Sequence, residues 1–259
     1  MAAFAFATAI SLAAGLPAAG GVVSLNLCTD ELVLLVARPE QIRSVSFLSH
    51  SREESPLWRL ARRHRANDGS MLAAAAVRPR LVVTMGSSGR DRARLARAVG
   101  ARLIVLPYPT RLADVETSLF RIGQATGNPR RAARIVAALR AAQRGAPTIK
   151  HDALWLDGAG RSFSSTGLGA QWLGMAGLKQ RNVAGDRMTL ETLIARPPAV
   201  LLQSRYRARQ TSSATAWLSH PVAHRVRAGR TLVTDGRRWT CMGPTLLPEI
   251  LRLRGRAGR

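Results

Sequence analysis

The chain has 259 residues, 46% of them apolar, which is enough for two modest cores or one large one. Its 39 Lys+Arg against 15 Asp+Glu give a formal charge of +24, a balance that first suggests nucleic acid or an anionic surface. Only Lys150 and Lys179 are lysines, the arginines are scattered through every segment, and aromatics reach only 5% with no basic stripe among them, so nucleic-acid binding is set aside.

In chain order, Met1 to Gly20 is apolar and small and ends in Pro17-Ala18-Ala19-Gly20. It reads as a signal peptide over residues 1–20, too short to span a membrane, although no Lys or Arg precedes its apolar run. Val22–Leu25 reads as a strand and Glu31–Ala37 as a helix closed by Arg38-Pro39. Met71–Val77 predicts a helix stopped at Arg78-Pro79, and Leu81–Met85 a buried strand followed by the polar loop Gly86–Gly89. Asp91–Val99 is a helix with Gly100 as its stop, and Leu103–Leu106 a strand ending at Pro107-Tyr108-Pro109. Leu112 to Gln143 is helical apart from Gly127-Asn128-Pro129, where Asn128 is an N-cap and Pro129 opens a second helix. Strand Leu154–Leu156, a glycine-rich loop and helix Ala170–Met175 then restart the βα pattern. Alternating strands and helices imply parallel sheets. Two α/β lobes joined by a helix is the simplest account, and an internal echo supports it: helix, Arg-Pro, strand over Ala73–Met85 and again over Glu191–Gln203.

Enzymatic constellations are scarce. Gly158-Ala159-Gly160-Arg161-Ser162-Phe163 carries Phe where a dinucleotide loop needs its third glycine, and there is no P-loop, Gly-x-Ser-x-Gly, His-Glu-x-x-His or Cys-x-x-Cys. His220 and His224 are four apart, but Pro221 intervenes and no carboxylate is near, which favours surface histidines.

The two cysteines are more informative. Cys28 lies in Leu25-Asn26-Leu27-Cys28-Thr29 and Cys241 in Trp239-Thr240-Cys241-Met242-Gly243-Pro244, both read as polar loops after strands. Loops beyond the carboxyl ends of parallel strands line the ligand crevice. Three readings stay open: a disulfide, two unpaired small residues, or thiolates facing a metal centre or redox-active ligand. The same placement makes Asn26, Cys28, Thr29, Ser87, Tyr108, Trp239 and Cys241 crevice candidates. Trp58 is a further candidate, whereas Trp155 and Trp172 read as core.

Several segments, in order, resemble the class III periplasmic substrate-binding proteins of ABC importers, typified by those for cobalamin and ferric siderophores. They are Val22–Leu25 with Thr29-Asp30-Glu31, Arg78-Pro79-x-Leu81-Val82-Val83, Thr166–Gly169 through Asn182, Thr189–Pro197, and Trp239–Pro244. The resemblance covers essentially the whole mature chain. It implies an α/β fold of two parallel-sheet lobes joined by one long rigid helix: an N-terminal lobe over 21–127, a bridging helix within 128–146 and a C-terminal lobe over 147–259. It further implies a monomeric, periplasmic, non-enzymatic receptor with no resident cofactor or metal. Such a receptor captures a bulky metal chelate, a cobalamin-like corrinoid or ferric siderophore, in the inter-lobe cleft and delivers it to an ABC permease at the inner membrane. The alternative is a haem-binding or other metal-handling periplasmic protein, or a small enzyme, on the same fold. Such ligands are often anionic, which adds the arginines Arg161, Arg205 and Arg90 to the crevice candidates. Glu191 matches the second-lobe carboxylate that pairs with permease arginines, while the first-lobe helix Gly69–Ala76 has no acid, leaving Glu53 or Glu54 as substitutes, and Arg80 stands where the family has an aspartate.

Overall fold

A computed structural model of the chain describes residues 20–86, 90–148, 150–206, 220–221 and 229–257. The expected signal segment up to Ala19, Ser87, Trp217 and His224 lie outside the described residues. Strands β1 (Val22–Ser24), β2 (Ile42–Ser46), β3 (Arg65–Asn67), β4 (Leu81–Met85) and β5 (Arg102–Leu106) form one sheet in the order β3-β2-β1-β4-β5, every pair parallel. Strands β6 (His151–Leu156), β7 (Leu178–Gln180), β8 (Val200–Arg205) and β9 (Arg230–Asp235) form a second parallel sheet, β7-β6-β8-β9. Parallel strands need crossovers, and these cover the sheet faces with helices. Accordingly β4 is apolar nearly throughout and fully buried.

The first crossover helix, α1 (Leu27–Val36), begins earlier than its apolar pattern suggests because Asn26 caps it: Asn26 Oδ1 accepts the Thr29 N–H at 3.0 Å. Helices α2 (Phe47–His50), α3 (Trp58–Ala61), α4 (Met71–Ala75) and α5 (Arg90–Ala98) complete the first layer set. Two longer helices follow, α6 (Leu112–Ala125) and the 16-residue α7 (Pro129–Arg144). Pro129 stands at the first position of α7 as expected, but the Asn128 side chain does not cap it. Its amide donates instead to Gln41 Oε1 and to the Thr126 carbonyl. The first turn of α7 touches the first sheet's side, Arg131 Nη1 donating to the Ala37 carbonyl at 3.3 Å. Its last turn touches the second, where Arg254 Nη2 donates to the Ala142 carbonyl at 2.6 Å.

Around the second sheet pack α8 (Leu168–Met175), α9 (Leu190–Ala195), α10 (Gly236–Cys241) and α11 (Leu247–Ala257). One apolar core runs through both halves, from Val33, Leu119 and Leu139 to Trp172, Leu246 and Ile250, all almost fully buried. Burying Trp172 and its leucine neighbours stabilises by roughly 2 kcal/mol each. The echoed unit is structurally equivalent in the two halves: α4 leads through Arg78-Pro79 into β4 beside β1, and α9 through Arg196-Pro197 into β8 beside β6.

Candidate functional site

In each sheet the strand order reverses once, between β1 and β4 and between β6 and β8. Connections leave these strands in opposite directions, so a crevice opens beyond their carboxyl ends. On the first lobe the crevice edge is Asn26, Gly86 and the Pro107-Tyr108-Pro109 turn. Asn26 reaches across the switch point to Thr84 Oγ1 at 3.4 Å, and Tyr108 is 69% exposed, its ring lying over Gly86. A Cβ on Gly86 would come within 2.8 Å of that ring, so the glycine is what lets the tyrosine lie flat there. On the second lobe the edge is the Asp157–Phe163 loop with Arg205 and Tyr206. Asp157 Oδ1 accepts the amides of Ala159 and Arg161, folding the loop back so that the Arg161 guanidinium pairs with Asp157 Oδ2 at 3.0 Å and stays exposed.

Five contacts tie the lobes across this crevice. The Leu112 amide donates to Gln171 Oε1 at 3.0 Å. Arg237 Nη1 donates to the Arg52 carbonyl at 2.7 Å, and beside it the Tyr206 hydroxyl donates to the Glu54 carboxylate. At the floor Cys28, in the first turn of α1, is bonded to Cys241, the last residue of α10, with Cα atoms 5.2 Å apart. One turn along α1, the Glu31 carboxylate accepts the Thr245 N–H at 2.8 Å. Burial pushes the Glu31 pKa up to about 7, while the Thr245 amide and the Arg238 charge pull the other way. A small apolar hollow beside the disulfide is lined by Cys28, Leu32, Met85, Pro109, Val115 and Cys241, among others.

No protein-family model and no curated protein sequence matches the chain. Solved structures do. A periplasmic heme-binding protein from Roseiflexus sp. RS-1 superposes with a TM-score of 0.69 at 20% identity, over 91% of this chain and 97% of that one. A periplasmic heme-binding protein from Pseudomonas aeruginosa gives 0.64 at 18% identity, over 91% of both chains. The periplasmic vitamin B12-binding protein of Vibrio cholerae gives 0.64 at 14% identity, over 90% and 94%. The fold is that of the periplasmic substrate-binding proteins.

Within that fold the expected site residues fall into three groups. Asn26, Cys28, Tyr108, Arg161, Arg205 and Cys241 lie at or under the crevice and are at least partly exposed. Thr29 and Trp239 do not. Thr29 is fully buried, its hydroxyl bonded to Ser24 Oγ at 2.7 Å and to Asn26, so it serves the start of α1. Trp239, expected in a loop, sits inside α10 and is 3% exposed; its indole N–H donates to Thr234 Oγ1 and its ring packs on Trp155 and Phe163. Cys28 and Cys241 likewise belong to helices and not to loops, because Asn26 and Asp235 each cap a helix directly at a strand end. Arg90 opens α5 and is exposed. Trp58 is half-buried, with the guanidiniums of Arg59 and Arg62 over its ring, 4.7 and 4.9 Å from the centroid. Glu191 is exposed in the first turn of α9, where its own amide and the Thr189 hydroxyl hold its carboxyl below the usual range.

Three residues with a part in the site escape sequence reading. Phe163, partly exposed, packs on the buried tryptophans, Tyr206 crosses the crevice, and Glu31 reaches into the other lobe. Only Glu31 carried a signal, as an acid within a matched block. Among the described residues no group of three His, Cys, Asp or Glu could hold a metal ion, and no helix is long and apolar enough to cross a membrane.

Proposed function

We propose that the chain is a periplasmic receptor of an ABC importer, which captures a bulky metal chelate in the crevice between its lobes and presents it to a membrane permease. The observation that carries this reading is the pairing of two parallel sheets whose switch points share one crevice, in a fold matched over nine-tenths of its length by proteins named for binding heme and vitamin B12. The rim suits such a cargo. The exposed Tyr108 ring and the partly exposed Phe163 offer apolar area to a flat macrocycle, and Arg161 and Arg205 offer charge to its carboxylates or phosphate. A corrinoid, a ferric siderophore and haem all meet that description.

In this reading the protein holds its cargo with loops, acts as a monomer, needs no resident cofactor and catalyses no reaction. The exposed Glu191 carboxylate engages permease arginines. On the first lobe α4 offers only Met71, Leu72 and alanines, and the exposed Glu53 takes the docking role in its place. The reading is tested by native mass spectrometry of the secreted protein purified from cells fed haemin, cyanocobalamin or a ferric siderophore. One of them is expected to co-purify as a 1:1 complex, and bare protein from all three cultures contradicts the proposal.

A further inference from the structure

The crevice floor is fastened in an unusual place: both ties there come from one face of one helix. Cys28 and Glu31 are three apart on α1, a spacing that puts them one above the other on the helix surface. Their partners, Cys241 and Thr245, are four apart in the other lobe. The segment between those partners is shaped to receive them. Met242 takes a left-handed conformation with φ 47°, held by the Trp172 indole N–H donating to its carbonyl at 2.9 Å. Gly243 lies flat against Glu31, where a Cβ would sit 2.5 Å from Oε1 and block the carboxylate. Arg238 grips the Thr245 carbonyl from α10.

We infer that Cys28 and Cys241 form a redox-cleavable clasp between the lobes, opened by thiol–disulfide exchange, which sets how far the crevice opens. Both cysteines are partly exposed beside the hollow, the side from which a thiolate would attack the bond. A dithiol donates two electrons and two protons. The Sγ–Sγ bond becomes two Sγ–H groups, and the dithiol leaves as a disulfide. Glu31 then remains as the lesser tie at the floor. Each lobe keeps its own sheet, so cutting the clasp loosens residues 241–247 against α1 without dissolving either half. The consequence for cargo rests on the receptor reading; the clasp itself does not.

The test is hydrogen exchange on the oxidised protein, on protein reduced with dithiothreitol, and on the Cys28→Ser/Cys241→Ser double variant. The Thr245 amide, bonded to Glu31, is expected to exchange about tenfold faster or more once the bond is cut, through a local opening that does not respond to denaturant, while amides of β1, β4, β6 and β8 still exchange through global unfolding and change only by the loss of global stability. Reoxidation restores the slow rate in the wild type only. Unchanged exchange over 243–247 after both thiols have been titrated overturns the clasp. So does Thr245 exchange that only follows the global unfolding seen in the sheets, which would make the disulfide a general staple. A second arm compares haemin and cyanocobalamin dissociation from the oxidised wild type and the double variant, which avoids dithiols that ligate haem iron. A changed off-rate for whichever ligand binds is expected, and equal rates remove the clasp's control over cargo. If haemin, cyanocobalamin and ferric siderophores all fail to bind, the receptor reading fails and the exchange result still decides the clasp.

Discussion

Removing the inter-lobe disulfide should cost the fold several kcal/mol. Cys28 and Cys241 are 213 residues apart, so the bond closes nearly the whole described chain into one loop. On the chain-entropy account a loop of that size removes about 18 cal/mol/K from the unfolded ensemble, or about 5 kcal/mol at 25 °C. Residual structure in the unfolded chain lowers that figure, and measured values for native disulfides centre on roughly 2–4 kcal/mol. For a protein of this size each 1 kcal/mol moves the melting temperature by roughly 2–4 °C, so Cys28→Ser/Cys241→Ser should melt about 4–16 °C lower. The assay is circular dichroism on heating, with a thiol titration of the wild type to establish that it is oxidised. Reduced wild type must melt with the double variant. A shift under about 2 °C, with the wild type fully oxidised, would refute the placement of these two residues at a common lobe boundary.

Glu31→Gln separates the carboxyl's charge from its hydrogen bond. The wild-type pKa is raised from 4.5 to about 7, so the folded protein binds this proton more tightly than the unfolded chain. The associated stability is complete below pH 4.5 and lost as the pH rises through 7, a change of about 3 kcal/mol at most. Glutamine still accepts the Thr245 N–H, so in urea titrations the variant should be the more stable protein at pH 8 and lose that advantage near pH 4. Asp30, raised by burial to about 6 against the serine hydroxyls around it, adds to the wild type's slope in the same direction. Tyr108→Ala should weaken ligand binding by roughly tenfold through lost ring contact, read in an equilibrium titration, with an unchanged melting temperature because the side chain is exposed. Glu191→Ala should reduce uptake in reconstituted vesicles while leaving ligand affinity as it was; a fall in affinity would move that residue into the pocket.

The parts of this fold visible in the sequence are those whose cores are apolar. Leu81–Met85 and Leu154–Leu156 declare themselves, as do the Arg-Pro junctions that lead into β4 and β8. Strands β2 and β3 do not, because Ser44, Ser46 and Asn67 are buried polar residues satisfied by hydrogen bonds. Asn67 Nδ2 donates to the Ser24 carbonyl at 2.9 Å and to Ser44 Oγ at 3.0 Å, and the Ser46 amide and hydroxyl donate to Asp30. Helix α10 was also hidden. Gly236-Arg237-Arg238-Trp239-Thr240-Cys241 has no apolar period, and its start is fixed by Asp235, whose carboxylate accepts the Arg237 amide. Without that helix the sequence places Trp239 at the crevice, whereas its indole belongs to the core. Spacing alone brought Cys28 and Cys241 to strand ends but could not choose among their three fates. The choice depends on how α1 of one lobe meets α10 of the other, which is a property of the packed lobes.

The central claim is capture of a metal chelate, and a direct binding titration tests it. The oxidised protein is titrated with haemin, cyanocobalamin and ferric siderophores while visible absorbance and tryptophan fluorescence are followed. The account predicts saturation by one of these at a 1:1 ratio with a Kd of about a micromolar or tighter. Absence of saturable binding by any of them contradicts it.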